Sequence, residues 1–379
     1  MASQAFDQVE HELRARGPEA AFDYLVQKFR EEKSYAQLFQ TRLLKKRFDL
    51  GLPLIHKELF DDLPAGQRKS YEETFVKAAR EAGELFLAEG DIPRAWSYFR
   101  AIGETAPVAA AIEQIDQHEN LPAIIDIAFQ EQVHPRKGFE LILSHYGICR
   151  AISSVFQYPV REGREECIAL LVENLHLDLI PSLKHAITRT EGQAPDVSGI
   201  GELVAGRDYL FEDNCYYVDT SHVVSVLQYS LELNNRETLE LALELAEYGS
   251  HLGAMFQKIG NPPFECFEDY VFYFRALLGE DRDAALAHFR EKILKSDPDE
   301  VGTGPAQVLV ALLARLGSFD EAIALSLEHL KTVDPSQLAC PTVQQLCQRG
   351  KDFARLREIS RTQGDLIGFT AAALQASRP

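Results

Sequence analysis

The residues best suited to chemistry lie mid-chain, in the run Tyr216-Tyr217-Val218-Asp219-Thr220-Ser221-His222. If this run enters a helix, Asp219 and His222 are three apart and share a face. At that spacing a carboxylate and an imidazole can hold a metal together or act as acid and base. Asp219 or Thr220 also suits the cap of a helix beginning there, which would leave His222 as an ordinary polar face residue. A second pair, Glu247 and His251, is four apart on a segment that also carries Leu241, Leu245 and Leu252. If the two helices are neighbours, Asp219, His222, Glu247 and His251 offer two carboxylates and two imidazoles, a ligand set suited to a divalent transition metal.

Three further residues join these as candidate groove residues. Tyr217 flanks the first pair. His145 stands in Leu143-Ser144-His145-Tyr146-Gly147 where Glu247 stands in the similar stretch Leu245-Ala246-Glu247-Tyr248-Gly249. Glu268 lies in the aromatic segment from Pro262 to Phe274, which reads either as a ligand-contacting wall or as core. Core is favoured, because Phe267, Tyr270, Val271 and Phe274 follow helical spacing. No phosphate-cradling Gly-x-x-x-x-Gly-Lys, His-Glu-x-x-His or Gly-x-Ser-x-Gly occurs, so no catalytic residue is assigned.

Composition narrows the possible partners. A formal net charge of -19 sets most surfaces against polyanions, so no nucleic-acid partner is expected; an acidic surface suits solubility or a basic partner. The short run Lys45-Lys46-Arg47 reads as the wet face of an amphipathic helix. The opening residues lack a secretory signal, and no stretch of ~18 uninterrupted apolar residues occurs later, so a cytoplasmic protein without a membrane partner is expected. The six cysteines are scattered without a Cys-x-x-Cys pair and read as reduced, mostly buried thiols.

The elements that must position these residues read as helices throughout. Ala21, Phe22, Leu25 and Phe29 recur at spacings of three and four, with Pro18 where a first-turn proline is tolerated. A second amphipathic helix runs from Tyr35 to Phe48, before Gly51-Leu52-Pro53 interrupts it. From Ala78 onward a fuller pattern appears, with small Gly83, aromatic Phe86, turn residue Gly90, small Ala95, aromatic Phe99 and Pro107 in order.

This order resembles the tetratricopeptide repeat (TPR), a hairpin of two helices, although Ala79 stands where that family often has Trp. Two weaker copies lie nearer the C-terminus. One runs from Phe274 through Gly279 to Ala285 and Phe289, and the other from Leu309 through Gly317 to Ala322. Ala285 and Ala322 are spaced slightly more widely than the ~34 residues of the family, and the resemblance covers about a third of the chain.

The expected fold is all-α, a right-handed α-α superhelix of TPR-like kind with an irregular helical centre. Three regions are expected: 1–109 with N-terminal hairpins, 110–270 irregular with a long loop near 190–206, and 271–379 with C-terminal hairpins and capping helices. Such a solenoid lines a concave groove, and the resemblance implies a non-enzymatic scaffold or adaptor that holds a protein or peptide there. The alternative is a helical enzyme or small-molecule-binding protein whose central region closes into a pocket. Its sign would be convergence of Asp219, His222, Glu247 and His251 beneath the 190–206 loop. A third possibility, assembly through the ends of the array, would show apolar terminal faces.

Overall fold

The computed structural model describes residues 2–55, 60, 63–115, 119–158 and 163–377. Among them every regular element is helical and no strand occurs. None of the described helices is long and apolar enough to cross a membrane. Two compact units are distinguished, one ending at Ala151 and the other beginning at Ile152.

The first unit holds α1 (Ala2–Arg16), α2 (Pro18–Glu31), α3 (Tyr35–Asp49), α4 (Ala65–Ala88), α5 (Ile92–Ala101), α6 (Ala106–Glu113), α7 (Leu121–Ile125) and α8 (Pro135–Tyr146). Through α5 each helix packs on the next, the arrangement that lets short amphipathic helices bury one face apiece. The α4–α5 hairpin shows why the sequence folds this way. Gly90 adopts a positive φ of 77°, which glycine tolerates, and ends α4. Asp91 then starts α5, its carboxylate accepting the Arg94 N–H at 3.0 Å. Where the helices meet, a Cβ on Gly83 would stand 2.6 Å from the Phe99 ring, so only glycine admits that close approach. Phe99, Ala95 and Ala79 are fully buried. Trp96 is also buried, and its indole N–H donates to Glu131 at 3.0 Å.

One expectation is corrected in α3. Arg47 is not on the wet face but fully buried, its Nε donating to the Pro53 carbonyl at 2.7 Å. Its guanidinium lies 5.9 Å from the centroid of the Tyr71 ring. Turn residues follow α3, and the Pro53 carbonyl there holds the long side chain inward by accepting its Nε–H. Phe48, beside it, is 41% exposed instead.

α9 (Ile148–Gln157) leads into the second unit, which holds α10 (Arg164–Glu191), α11 (Ile200–Val204), α12 (Thr220–Ser230), α13 (Arg236–His251), α14 (Phe267–Leu278) and α15 (Arg282–Lys295). It continues with α16 (Pro298–Val301), α17 (Gly304–Arg315), α18 (Phe319–His329), α19 (Val343–Arg349), α20 (Phe353–Gln363) and α21 (Leu366–Ala376). From α12 to α15, and again from α17 to α21, successive helices pack on one another, while α10 lies against α11, α12 and α13. Gly279 and Gly317 close the α14–α15 and α17–α18 hairpins in the left-handed region, at φ 88° and 74°.

The aromatic segment is core where its spacing places it there: Phe267 and Phe274 are fully buried, and Tyr270 nearly so. No disulfide joins any of the six cysteines. Cys167, Cys340 and Cys347 are buried, Cys266 is half-buried, and Cys149 and Cys215 are exposed.

Candidate functional site

In the second unit a cleft of about 610 Å³ lies between α13, α14 and the short α11. Helical periodicity explains its floor. Glu244, Glu247, Tyr248 and His251 recur at three- and four-residue steps and so line one face of α13, while Glu268, Val271 and Arg275 do the same on α14. Ile200, Gly201 and Val204 supply the opposite wall. The 252–266 connection adds Gln257 and Cys266.

One carboxylate anchors the α11 wall. Glu244 accepts the Ile200 N–H at 2.7 Å and lies 3.0 Å from Nε2 of His176, a buried residue of α10. Burial alone would raise the Glu244 carboxyl, but the bonds from His176 and Ile200 outweigh it and hold the group below its usual range. The base of the 190–206 loop is stapled as well, because Glu191 accepts from Arg207 Nε at 2.8 Å and from the Tyr209 hydroxyl at 2.7 Å. Helix α11 interrupts the loop expected near 190–206, and it is this helix that packs on α13 as a wall.

The other polar groups divide into engaged and available. Arg275 donates to Glu247 at 2.7 Å and approaches Asp281 at 3.8 Å. Gln257 donates to the Gly249 and Leu252 carbonyls at 3.0 and 2.7 Å, satisfying the end of α13. Tyr248 accepts the Tyr217 N–H at 2.9 Å, and its burial pushes the phenol up to about 12. His251 stacks on Phe211 with centroids 5.3 Å apart. Glu268 is exposed at the rim and has no ion pair among the described residues.

Behind Cys266 lies a polar cluster that the sequence reading missed. Asp269 is fully buried, accepting the Glu265 and Cys266 N–H groups at 2.7 and 2.9 Å. Nε2 of His288 lies 2.6 Å from it, and Lys292 Nζ 2.9 Å. Burial by itself would raise this carboxyl, but the bonds from His288, Lys292 and Cys266 hold it down at about 2. Cys266 is pushed the other way, by burial first and the Asp269 charge second, so its sulfur stays a thiol that donates to Asp269 at 3.4 Å. A nucleophilic cysteine needs surroundings that favour its thiolate, and here burial and the adjacent Asp269 carboxylate disfavour it. The spacing of His288 and Lys292, four apart on one helix, was the signal that could have found the cluster.

The sequence candidates therefore separate. Glu247, His251 and Glu268 line the cleft, and Tyr217 braces it through Tyr248 and through its own hydroxyl, which donates to the Leu210 carbonyl at 2.9 Å. Asp219 and His222 are not among the lining residues. Asp219 caps α12 instead, accepting from the Ser221 N–H at 2.8 Å and hydroxyl at 2.6 Å; these bonds hold its carboxyl low. Its Oδ1 is engaged by the helix start, as its position before Thr220 allows. His145 belongs to the first unit, exposed and edge-on to Tyr146 at 4.7 Å. Among the described residues no three His, Cys, Asp or Glu side chains are grouped as a metal ion requires, so the four-residue ligand set is not assembled.

A smaller cavity of about 440 Å³ lies in the first unit, lined by Lys33, Tyr35, Phe86, Arg94 and Tyr98 among others. Its cations are matched internally, Lys33 by Glu89 at 2.5 Å and Arg94 by Asp91 at 2.5 Å. Comparison of the chain with protein-family models, curated proteins and solved structures gives no match.

Proposed function

We propose that this chain is a non-enzymatic protein- or peptide-binding scaffold, a TPR-like right-handed α-α superhelix with an irregular helical centre. Its ligand lies in the α11–α13–α14 cleft. The observation that carries this reading is the form of the cleft: two adjacent helices make its floor, polar side chains recur along them at one-turn steps, and α11 with Ala205 forms its wall. Such a surface suits an extended chain, whose side chains meet successive helical turns. The repeat assignment is supported by the sequential packing of helices and by glycine at the α4–α5, α14–α15 and α17–α18 turns.

Selection from a random peptide library on the full-length protein tests this reading. Wild type should enrich a peptide class, and Ala205→Trp, which fills the cleft from an exposed position, should abolish the enrichment while leaving the circular dichroism unchanged. Enrichment that persists in this variant would place binding elsewhere.

A second reading, a helical enzyme or small-molecule-binding protein, draws support from the volume, which falls within the ~300–1,000 Å³ of small-ligand sites. A metabolite that raises Tm in wild type but not in Ala205→Trp, without any peptide enrichment, would favour it.

A further inference from the structure

We infer that the cleft takes a basic peptide, seating a lysine or arginine side chain against Glu247 and Glu268 with its methylene stem along Val204 and Val271. The inference rests on the scaffold reading above and specifies its ligand.

Charge is the first argument. The lining carries three glutamates, Glu244, Glu247 and Glu268, against one guanidinium, Arg275, and one imidazole, His251. Glu244 is already committed to Ile200 and His176, and Glu247 gives Oε1 to Arg275, whereas Glu268 is exposed at the rim without an ion pair among the described residues. The imidazole of His251 also lines the cleft, stacked on Phe211, while His288 and Lys292 are bound to buried Asp269 and do not line it. A surplus of carboxylate thus faces the cavity, within a chain whose net charge of -19 steers cations toward it.

Shape supplies the second argument. The carboxylates stand beside apolar side chains, Val204 on one wall and Val271 on the other. Lysine and arginine divide in the same way, with an apolar stem and a charged tip. Arg275 shows within this chain that Glu247 accepts a guanidinium at 2.7 Å. The smaller cavity of the first unit has its cations paired internally and offers no comparable surplus.

The test uses full-length protein and fluorescent peptides of equal length, one rich in Lys and Arg alternating with Leu and Ala, one neutral and one acidic, read by anisotropy. Spermidine is added as a competing amine without a peptide backbone. Wild type should bind the basic peptide in preference to the other two and lose affinity as salt rises. The double variant Glu247→Gln and Glu268→Gln should weaken this binding about tenfold, as expected when charge-assisted bonds are removed. Glu300→Gln with Glu358→Gln, exposed and remote from the lining, should not.

Equal weakening in both double variants would reduce the effect to net charge and overturn the inference. Neutral or acidic peptides that bind as well as the basic one, and are lost in Ala205→Trp, would overturn it while leaving the scaffold reading standing. Binding of spermidine alone would overturn it in favour of a free polyamine. Binding of no peptide at all would overturn both readings.

Discussion

The α4–α5 hairpin and the α13–α14 pair solve one packing problem with different results. In both, a glycine on the first helix lets an aromatic ring of the second approach closely. A Cβ on Gly83 would meet Phe99 at 2.6 Å, and one on Gly249 would meet Phe267 at 2.3 Å. The connections between the paired helices differ. Glu89, Gly90 and Asp91 alone join the first pair, and Asp91 both turns the chain and caps α5. The second pair is joined by the 252–266 connection, with buried Asp269 holding the start of α14 and the 610 Å³ cleft opening alongside. A glycine–aromatic contact thus sets helix approach in both units, and a cavity lies beside each pair: the 440 Å³ one has its cations paired, whereas the 610 Å³ one keeps Glu268 without an ion pair among the described residues.

Asp269→Ala should break this comparison most severely. It leaves His288 and Lys292 facing a vacated buried site, for which a loss of about 3–5 kcal/mol is expected. Urea denaturation followed separately by probes in each unit would show the lower midpoint in the second unit, and a shift under about 1 kcal/mol would mean that the cluster is well hydrated.

The glycine contacts come next. Gly83→Val and Gly249→Val should each cost about 1–3 kcal/mol through overpacking, with Gly249 the more sensitive because its ring is nearer. Equal or reversed Tm losses would show that the α13–α14 pair yields more readily than the hairpin.

Acid sharpens the difference further. Asp269 has a folded pKa of about 2 against an ordinary 3.8, so its contribution is complete above pH ~4 and is lost as pH falls toward 2. The shift corresponds to about 2 kcal/mol, which should vanish from the pH dependence of Asp269→Asn. An unchanged acid limb in that variant would assign the loss to other carboxylates.

The smallest effect concerns two caps, one in each unit. Asp91→Ala and Asp219→Ala should each cost about 1 kcal/mol by thermal denaturation. Neither should alter peptide affinity. A selective loss of binding in Asp219→Ala would return that residue to the functional site.

The terminal helix extends the comparison to the end of the second unit. Leu366, Ile367 and Leu374 on α21 are 76%, 84% and 62% exposed, the kind of face that assembly through an end would use.

Much of this protein was written locally in its sequence. Spacings of three and four made the helices; Gly90, Gly279 and Gly317 marked hairpin turns; and Phe267, Tyr270 and Phe274 could be read as core from periodicity alone. Glu247 and His251 could be paired because one helix face brings them together wherever the helix packs, and Glu244 joins them by the same rule. The features that stayed hidden depend on neighbours far along the chain. The bonds of Glu244 to His176 and Ile200, of Asp269 to His288 and Lys292, and of Arg275 to Glu247 join different elements, whose mutual placement no single periodicity encodes. The two aspartates show the limit: near their helix starts, Asp219 and Asp269 offer similar local patterns, yet one is exposed in solvent as a cap and the other is buried among cations. Local sequence determined the helices and the faces of their side chains, whereas tertiary packing decided which carboxylates were consumed and which were left facing the cleft, because desolvation and charge pairing are properties of the assembled neighbourhood.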